Sequence, residues 1–127
     1  MKLKKFLIAK GNSTLLVWGC STYRKKGVIK KYLGCVEQIG FVETKESLPF
    51  LNMMGNELCV NGTLALASLS SPKGKLFTSG LKNPVIYNNI DGTTSVNLVI
   101  NYQRFKNIVL LEGIGYVYLK EKKENVK

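Results

Sequence analysis

The chain has 127 residues, 45% hydrophobic and 21% charged, and its mean hydropathy is near zero. This is the makeup of one compact domain, not of a disordered tail or a membrane protein. It contains no His, and Asp91 is its single aspartate, so a His-based triad, a His-ligated metal and an aspartate pair are all excluded. Proton transfer is left to Cys, Lys, Glu or Tyr.

In chain order, Lys5–Ala9 and Thr14–Trp18 read as strands around the turn Lys10-Gly-Asn-Ser. Ser21–Leu33 opens on a good N-cap residue and sets Tyr23, Ile29, Tyr32 and Leu33 among lysines, the pattern of an amphipathic surface helix weakened by Gly27. Val36–Val42 and Leu48–Leu51 follow as strands, separated by a charged turn at Glu43-Thr-Lys-Glu. From Leu58 to Ser71 there is no charge at all, and Pro72 and Gly74 close the run as helix stops do. A helix apolar or small on every side must be surrounded by protein, and a curled sheet provides that surrounding. Lys75–Ser79, Pro84–Tyr87, Ser95–Asn101, Ile108–Glu112 and Tyr116–Lys120 complete about nine strands, with Asp91-Gly92 as a hairpin signal. The expected fold is α+β: a mainly antiparallel barrel or curled sheet about a central apolar helix, plus one surface helix. Residues 1–121 form the single domain and 122–127 a basic tail.

Apolar stretches such as Leu15–Val17 and Ile108–Leu111 fall far short of the roughly 18–20 residues of a membrane span. The apolar part of the basic N-terminal segment ends at Lys10, too soon for a signal peptide, so a cytoplasmic protein is expected, with no membrane partner. The net charge of +11 is nearly all Lys, Arg24 and Arg104 being the only arginines, and it clusters at Lys2/4/5, at Arg24–Lys31 and in the tail. No aromatic alternates with these residues as a single-strand platform requires, so they read as solvated surface and nucleic acid is not the expected partner. Cys20, Cys35 and Cys59 are an odd set, 15 and 24 positions apart. That spacing fits neither a disulfide framework nor a zinc site, and free thiols with no bound metal are expected.

Cys59 stands where the charge-free helix begins, in Gly55-Asn-Glu-Leu-Cys-Val-Asn-Gly-Thr63. Unpaired N–H groups and the helix dipole favour an anion there, so a lowered thiol pKa is expected. The N–H groups of Asn61, Gly62 and Thr63 could also cradle a substrate carboxylate. The alternative is plain: Cys59 as a small core residue and Asn-Gly-Thr as a cap.

Glu57-Leu-Cys-Val-Asn-Gly-Thr-Leu-Ala-Leu-Ala resembles the E-M-C-G-N-G-[IT]-R motif of diaminopimelate epimerases and the G-G-E-F-C-G-N-A-T segment of related amino-acid racemases. Lys10-Gly-Asn-Ser-Thr-Leu-Leu-Val, Val36-Glu-Gln-Ile-Gly-Phe-Val and Leu110-Leu-Glu-Gly-Ile-Gly-Tyr-Val-Tyr resemble further segments of that superfamily, in its order. The resemblance implies a racemase or epimerase that needs no cofactor, in which two cysteines face each other across an amino-acid substrate. Relatives build that site between two similar lobes, and this chain corresponds to one. A homodimer bringing two Cys59 residues together, or a second lobe-like chain, would complete it.

The resemblance further implies substrate contacts by Asn12, Asn52 and Glu57 and by the backbone at Asn61, Gly62 and Thr63. Val60 stands where the family usually has Gly, and Leu64 where diaminopimelate epimerases have Arg, which turns the expectation from diaminopimelate towards another amino acid. The rival readings are a single-lobe relative without catalysis, serving as a small-molecule or protein-binding module, and an isomerase or lyase using Glu57 or a Lys as base.

Overall fold

The computed structural model describes residues 1–9 and 12–98, together with three short strands at Tyr102–Phe105, Ile108–Leu111 and Ile114–Val117. Seven strands stand side by side in chain order: β1 (Lys2–Ala9), β2 (Asn12–Trp18), β3 (Gln38–Lys45), β4 (Leu48–Met53), β5 (Lys73–Thr78), β6 (Val85–Ile90) and β7 (Thr93–Asn97). The sheet is curled and its strand order does not close on itself, so the expected barrel is an open half-barrel. The later strands β8 (Tyr102–Phe105), β9 (Ile108–Leu111) and β10 (Ile114–Val117) form an antiparallel sheet of their own. The expected strand ends at 99–101 and 118–120 and the basic tail at 122–127 lie outside the described residues.

Most pairings are antiparallel, but β2 runs parallel to β3 and β4 parallel to β5. Parallel neighbours need a long crossover, and the two helices supply it. Helix α1 (Lys25–Tyr32), preceded by a 3-10 turn at Thr22–Arg24, joins β2 to β3, and α2 (Val60–Ser68) joins β4 to β5. They cover opposite faces. Leu15, Val17, Ile39 and Phe41 pack with Val28 of α1, while Leu16, Leu51, Met53, Leu76, Val85 and Tyr87 pack with Ala65, Leu66 and Ala67 of α2. Alternation along β2 therefore feeds both layers, and every side chain from Thr14 to Val17 is buried. A fully buried Leu or Met in these layers contributes on the order of 2 kcal/mol relative to exposure.

Several local readings shift. The surface helix is anchored by Val28, while Tyr23 sits in the 3-10 turn at 86% exposure. Glu43 to Lys45 continue β3 instead of turning: Glu43 pairs with Lys25, and the Lys45 ammonium lies over the Phe50 and Phe77 rings. The turn falls at Glu46-Ser47, both at positive φ, as Asp91-Gly92 are in the β6–β7 hairpin. Helix α2 ends at Ser68, short of Pro72, because side chains of the serine run and a neighbouring strand take its last carbonyls: Ser70 Oγ donates to Leu66 O and Asn89 Nδ2 of β6 to Ala67 O.

Candidate functional site

Cys59 is itself the N-cap of α2. Its backbone is extended, and its Sγ accepts the Gly62 N–H at 3.2 Å. Two glycines make this approach possible. A Cβ at Gly62 would meet Leu51 and Met53 side-chain atoms at 3.2 Å, and one at Gly40 would come within 2.7 Å of Leu51 Cδ1. The loop before the helix is held from the β5 end: Ser79 Oγ donates to Glu57 O at 2.6 Å and accepts the Met53 N–H at 3.0 Å. Gly80, at φ +88°, lies so close that a Cβ there would stand 2.7 Å from the Leu58 nitrogen.

Burial decides the acidity of Cys59. The residue is 6% exposed, and this desolvation pushes its thiol above the ordinary value. The Gly62 N–H pulls it down, the Glu57 carboxylate pushes it up and the Asn61 N–H again pulls it down, with a net rise. The helix N-terminus favours the opposite direction, the one expected from the sequence, but desolvation of the thiolate outweighs its N–H groups. Consistently, the sulfur donates its proton to Gln38 Oε1 across the concave face.

The other anticipated residues divide. Asn61 is half-buried beside Cys59, and Glu57 is exposed in the loop before it. The N–H groups expected to cradle a carboxylate are already engaged: that of Gly62 by the Cys59 sulfur and that of Thr63 by the Cys59 carbonyl at 2.9 Å. Thr63 is fully buried, with Oγ1 donating to Cys59 O at 2.7 Å and lying 3.2 Å from Thr78 Oγ1, which ties the helix start to β5. The backbone places Asn12 at the start of β2, two residues before Thr14 and thus at the Gln38 end of the sheet. Asn52 is not brought to Cys59. It pairs in register with Phe41, whose side chain packs on the α1 face, whereas its neighbours Leu51 and Met53 pack on the α2 face.

Gln38 was missed by sequence reasoning, although a polar residue directly before the apolar run Ile39–Val42 and two positions from Gly40 was a usable signal. Thr14 is its register partner on β2, fully buried, with an Oγ1 that has no hydrogen-bond partner among the described residues. Cys20 is half-buried against the α1 layer and Cys35 is exposed, so neither approaches the site.

Clefts open elsewhere among the described residues. One of about 700 Å³ lies where the C-terminal end of α2 meets β1 to β4, and one of about 480 Å³ adjoins Cys35 and Glu37; neither includes Cys59. Among the described residues no group of three or more His, Cys, Asp or Glu side chains comes together to hold a metal, and no helix is long and apolar enough to cross a membrane. Comparison with known proteins finds no matching family model and no matching curated protein.

Proposed function

We propose that this domain is one acid/base half-site of a cofactor-independent amino-acid racemase or epimerase, completed by a second thiol from another copy of the chain. The observation that carries the reading is the Cys59 thiol at the N-cap of α2, held by the Gly62 N–H and kept protonated by burial. It supplies the acid of a two-thiol pair. The thiolate of the partner copy removes the α-proton from one face of the amino acid, and the Cys59 S–H delivers its proton to the other. After one inversion the two sulfurs have exchanged roles, and the opposite enantiomer can enter. Gln38 and Asn61 beside Cys59 are half-buried, which puts the thiol at the rim of the core, where a second subunit could close over it. The resemblance of the Glu57–Ala67 segment to the epimerase motif supports the same assignment, and Leu64 in place of Arg argues for a substrate other than diaminopimelate.

The test is deuterium exchange. The full chain, kept reduced, is incubated in D2O with each L-amino acid in turn, and loss of the α-proton is followed by NMR. Exchange on at least one amino acid, abolished by Cys59→Ser, is expected. No exchange across the panel sinks the catalytic reading, and a monomer that exchanges at assay concentration sinks the two-subunit site. A second reading, a binding module without catalysis, is favoured by one observation: the Cys59 thiol is 6% exposed and its proton is already bonded to Gln38, as in a structural core cysteine. Saturable binding of an amino acid with no exchange is the result that selects it.

A further inference from the structure

We infer that the cleft at the C-terminal end of α2 is a binding site for a small organic anion with an apolar body. The site is separate from Cys59 and does not rest on the racemase reading. Its position follows from strand register. Lys2 pairs with Trp18 and Lys4 with Leu16, so both lysines belong to the concave face, the face that Leu16 and its neighbours fill with apolar side chains around α2. A gap remains between the concave face, from β1 to β4, and the end of the helix. The gap is lined by Trp18, Leu66 and Leu69 with Lys2 and Lys4, and its volume of about 700 Å³ is that of a small-molecule site.

Two features point to the ligand. The first is an apolar wall left partly uncovered: Trp18 is only half-buried and Leu69 is 41% exposed. The second is charge. The Lys2 ammonium stands over the apolar wall, 5.3 Å from the Trp18 ring centre, and Lys4 lines the cleft beside it, its ammonium 5.7 Å from the ring centre of neighbouring Phe6. Neither is in an ion pair among the described residues, and the cleft's carboxylate, Glu43, is already neutralised by Lys25. Inward-facing lysines on an edge strand also discourage edge-to-edge pairing. That role accounts for the cations, but not for a half-exposed tryptophan and leucine behind them. An anion whose apolar body covers Trp18 and Leu69 while its charged group meets Lys2 and Lys4 satisfies both features.

Trp18 is the only tryptophan, so its emission reports on this cleft alone. The probe is 1-anilinonaphthalene-8-sulfonate, titrated into the full chain. Trp18 emission is expected to fall saturably as the probe's emission rises. Lys2→Glu with Lys4→Glu should weaken binding about tenfold or more, whereas the same charge change on α1, Lys26→Glu with Lys30→Glu, should alter it by no more than about twofold. The uncharged N-phenyl-1-naphthylamine should bind about tenfold more weakly and ignore the Lys2/Lys4 change. All four lysines are exposed, so these variants remove no core packing, and unchanged thermal melting checks that they fold. The proposal is overturned if both double variants weaken binding equally, which signals bulk charge. It is equally overturned if the probe's emission rises without saturable loss of Trp18 emission.

Discussion

Thr63→Val removes a hydroxyl while nearly keeping the shape of the side chain, so it subtracts hydrogen bonds without opening a cavity. In the native chain the one Thr63 hydroxyl proton goes to Cys59 O at 2.7 Å, which leaves Thr78 to donate to Thr63 Oγ1 across 3.2 Å, with both residues at 0% exposure. The Cys59 carbonyl keeps the Thr63 backbone N–H in the variant, so the main loss is a Thr78 hydroxyl stranded in the core, at about 2 kcal/mol. Thr78→Val strands nothing, since the Thr63 proton keeps its carbonyl, and it costs about 1 kcal/mol. The double variant has no orphaned hydroxyl and should cost about 1–2 kcal/mol, less than the sum of the singles, because both partners are replaced together. Urea denaturation followed by Trp18 emission measures all three as shifts of midpoint at constant slope. Additive costs refute the shared hydroxyl bond. A stable Thr63→Val chain that loses only amino-acid exchange would instead return Thr63 to the substrate contacts that the motif resemblance implies.

Two further outcomes follow from the same geometry. The folded chain holds the Cys59 proton more tightly than the unfolded chain does, so that contribution is fully present below the ordinary thiol pKa of about 8.5 and is lost as pH rises through the raised folded value. The stability of the native chain relative to Cys59→Ser should therefore be flat at neutral pH and fall above that point, and a difference that stays constant into strongly alkaline solution contradicts a buried thiol. Gly80→Ala combines a positive φ with a Cβ placed against backbone and should destabilise by about 2–3 kcal/mol, while Gly27→Ala, with nothing within 4 Å of its Cβ in an exposed helix, should stabilise by about 0.5–1 kcal/mol. Thermal melting of the two variants reads the opposite signs, and equal signs refute the account of the loop that carries Cys59.

What the sequence disclosed depended on whether a feature was local. The charge-free run from Leu58 identified the inner helix and placed Cys59 at its start, because a stretch without charge has only one stable environment. Asp91-Gly92 announced its hairpin through backbone conformation alone. Charges misled where tertiary partners absorb them: Glu43 and Lys45 read as a turn until Lys25, Phe50 and Phe77 were beside them. Asn52 and Gln38 failed for a subtler reason. Alternation says that neighbours on a strand point opposite ways, but which set faces α2 is fixed by the register with β3, and a shift of one residue exchanges the two faces.

The weakened acidity of the Cys59 thiol sharpens the proposed chemistry. A helix N-terminus stabilises an exposed anion by about 0.3–1 kcal/mol, whereas desolvating a charge costs several, so burial prevails and the resting thiol is protonated. A second copy brings a second buried thiol, and like charges at close range oppose a second ionisation. A symmetric pair would therefore rest with both thiols protonated and no base, unless a positive charge enters the site. No Lys or Arg donates to the Cys59 sulfur among the described residues, and the nearby Glu57 has the wrong sign. The cation that arrives with the reaction is the α-ammonium of the amino acid itself. On this reasoning an N-acetylated amino acid, which keeps the α-proton and carboxylate but loses the ammonium charge, should not exchange even where its parent does. Equal exchange from both would mean that the thiolate is stabilised by something other than its substrate.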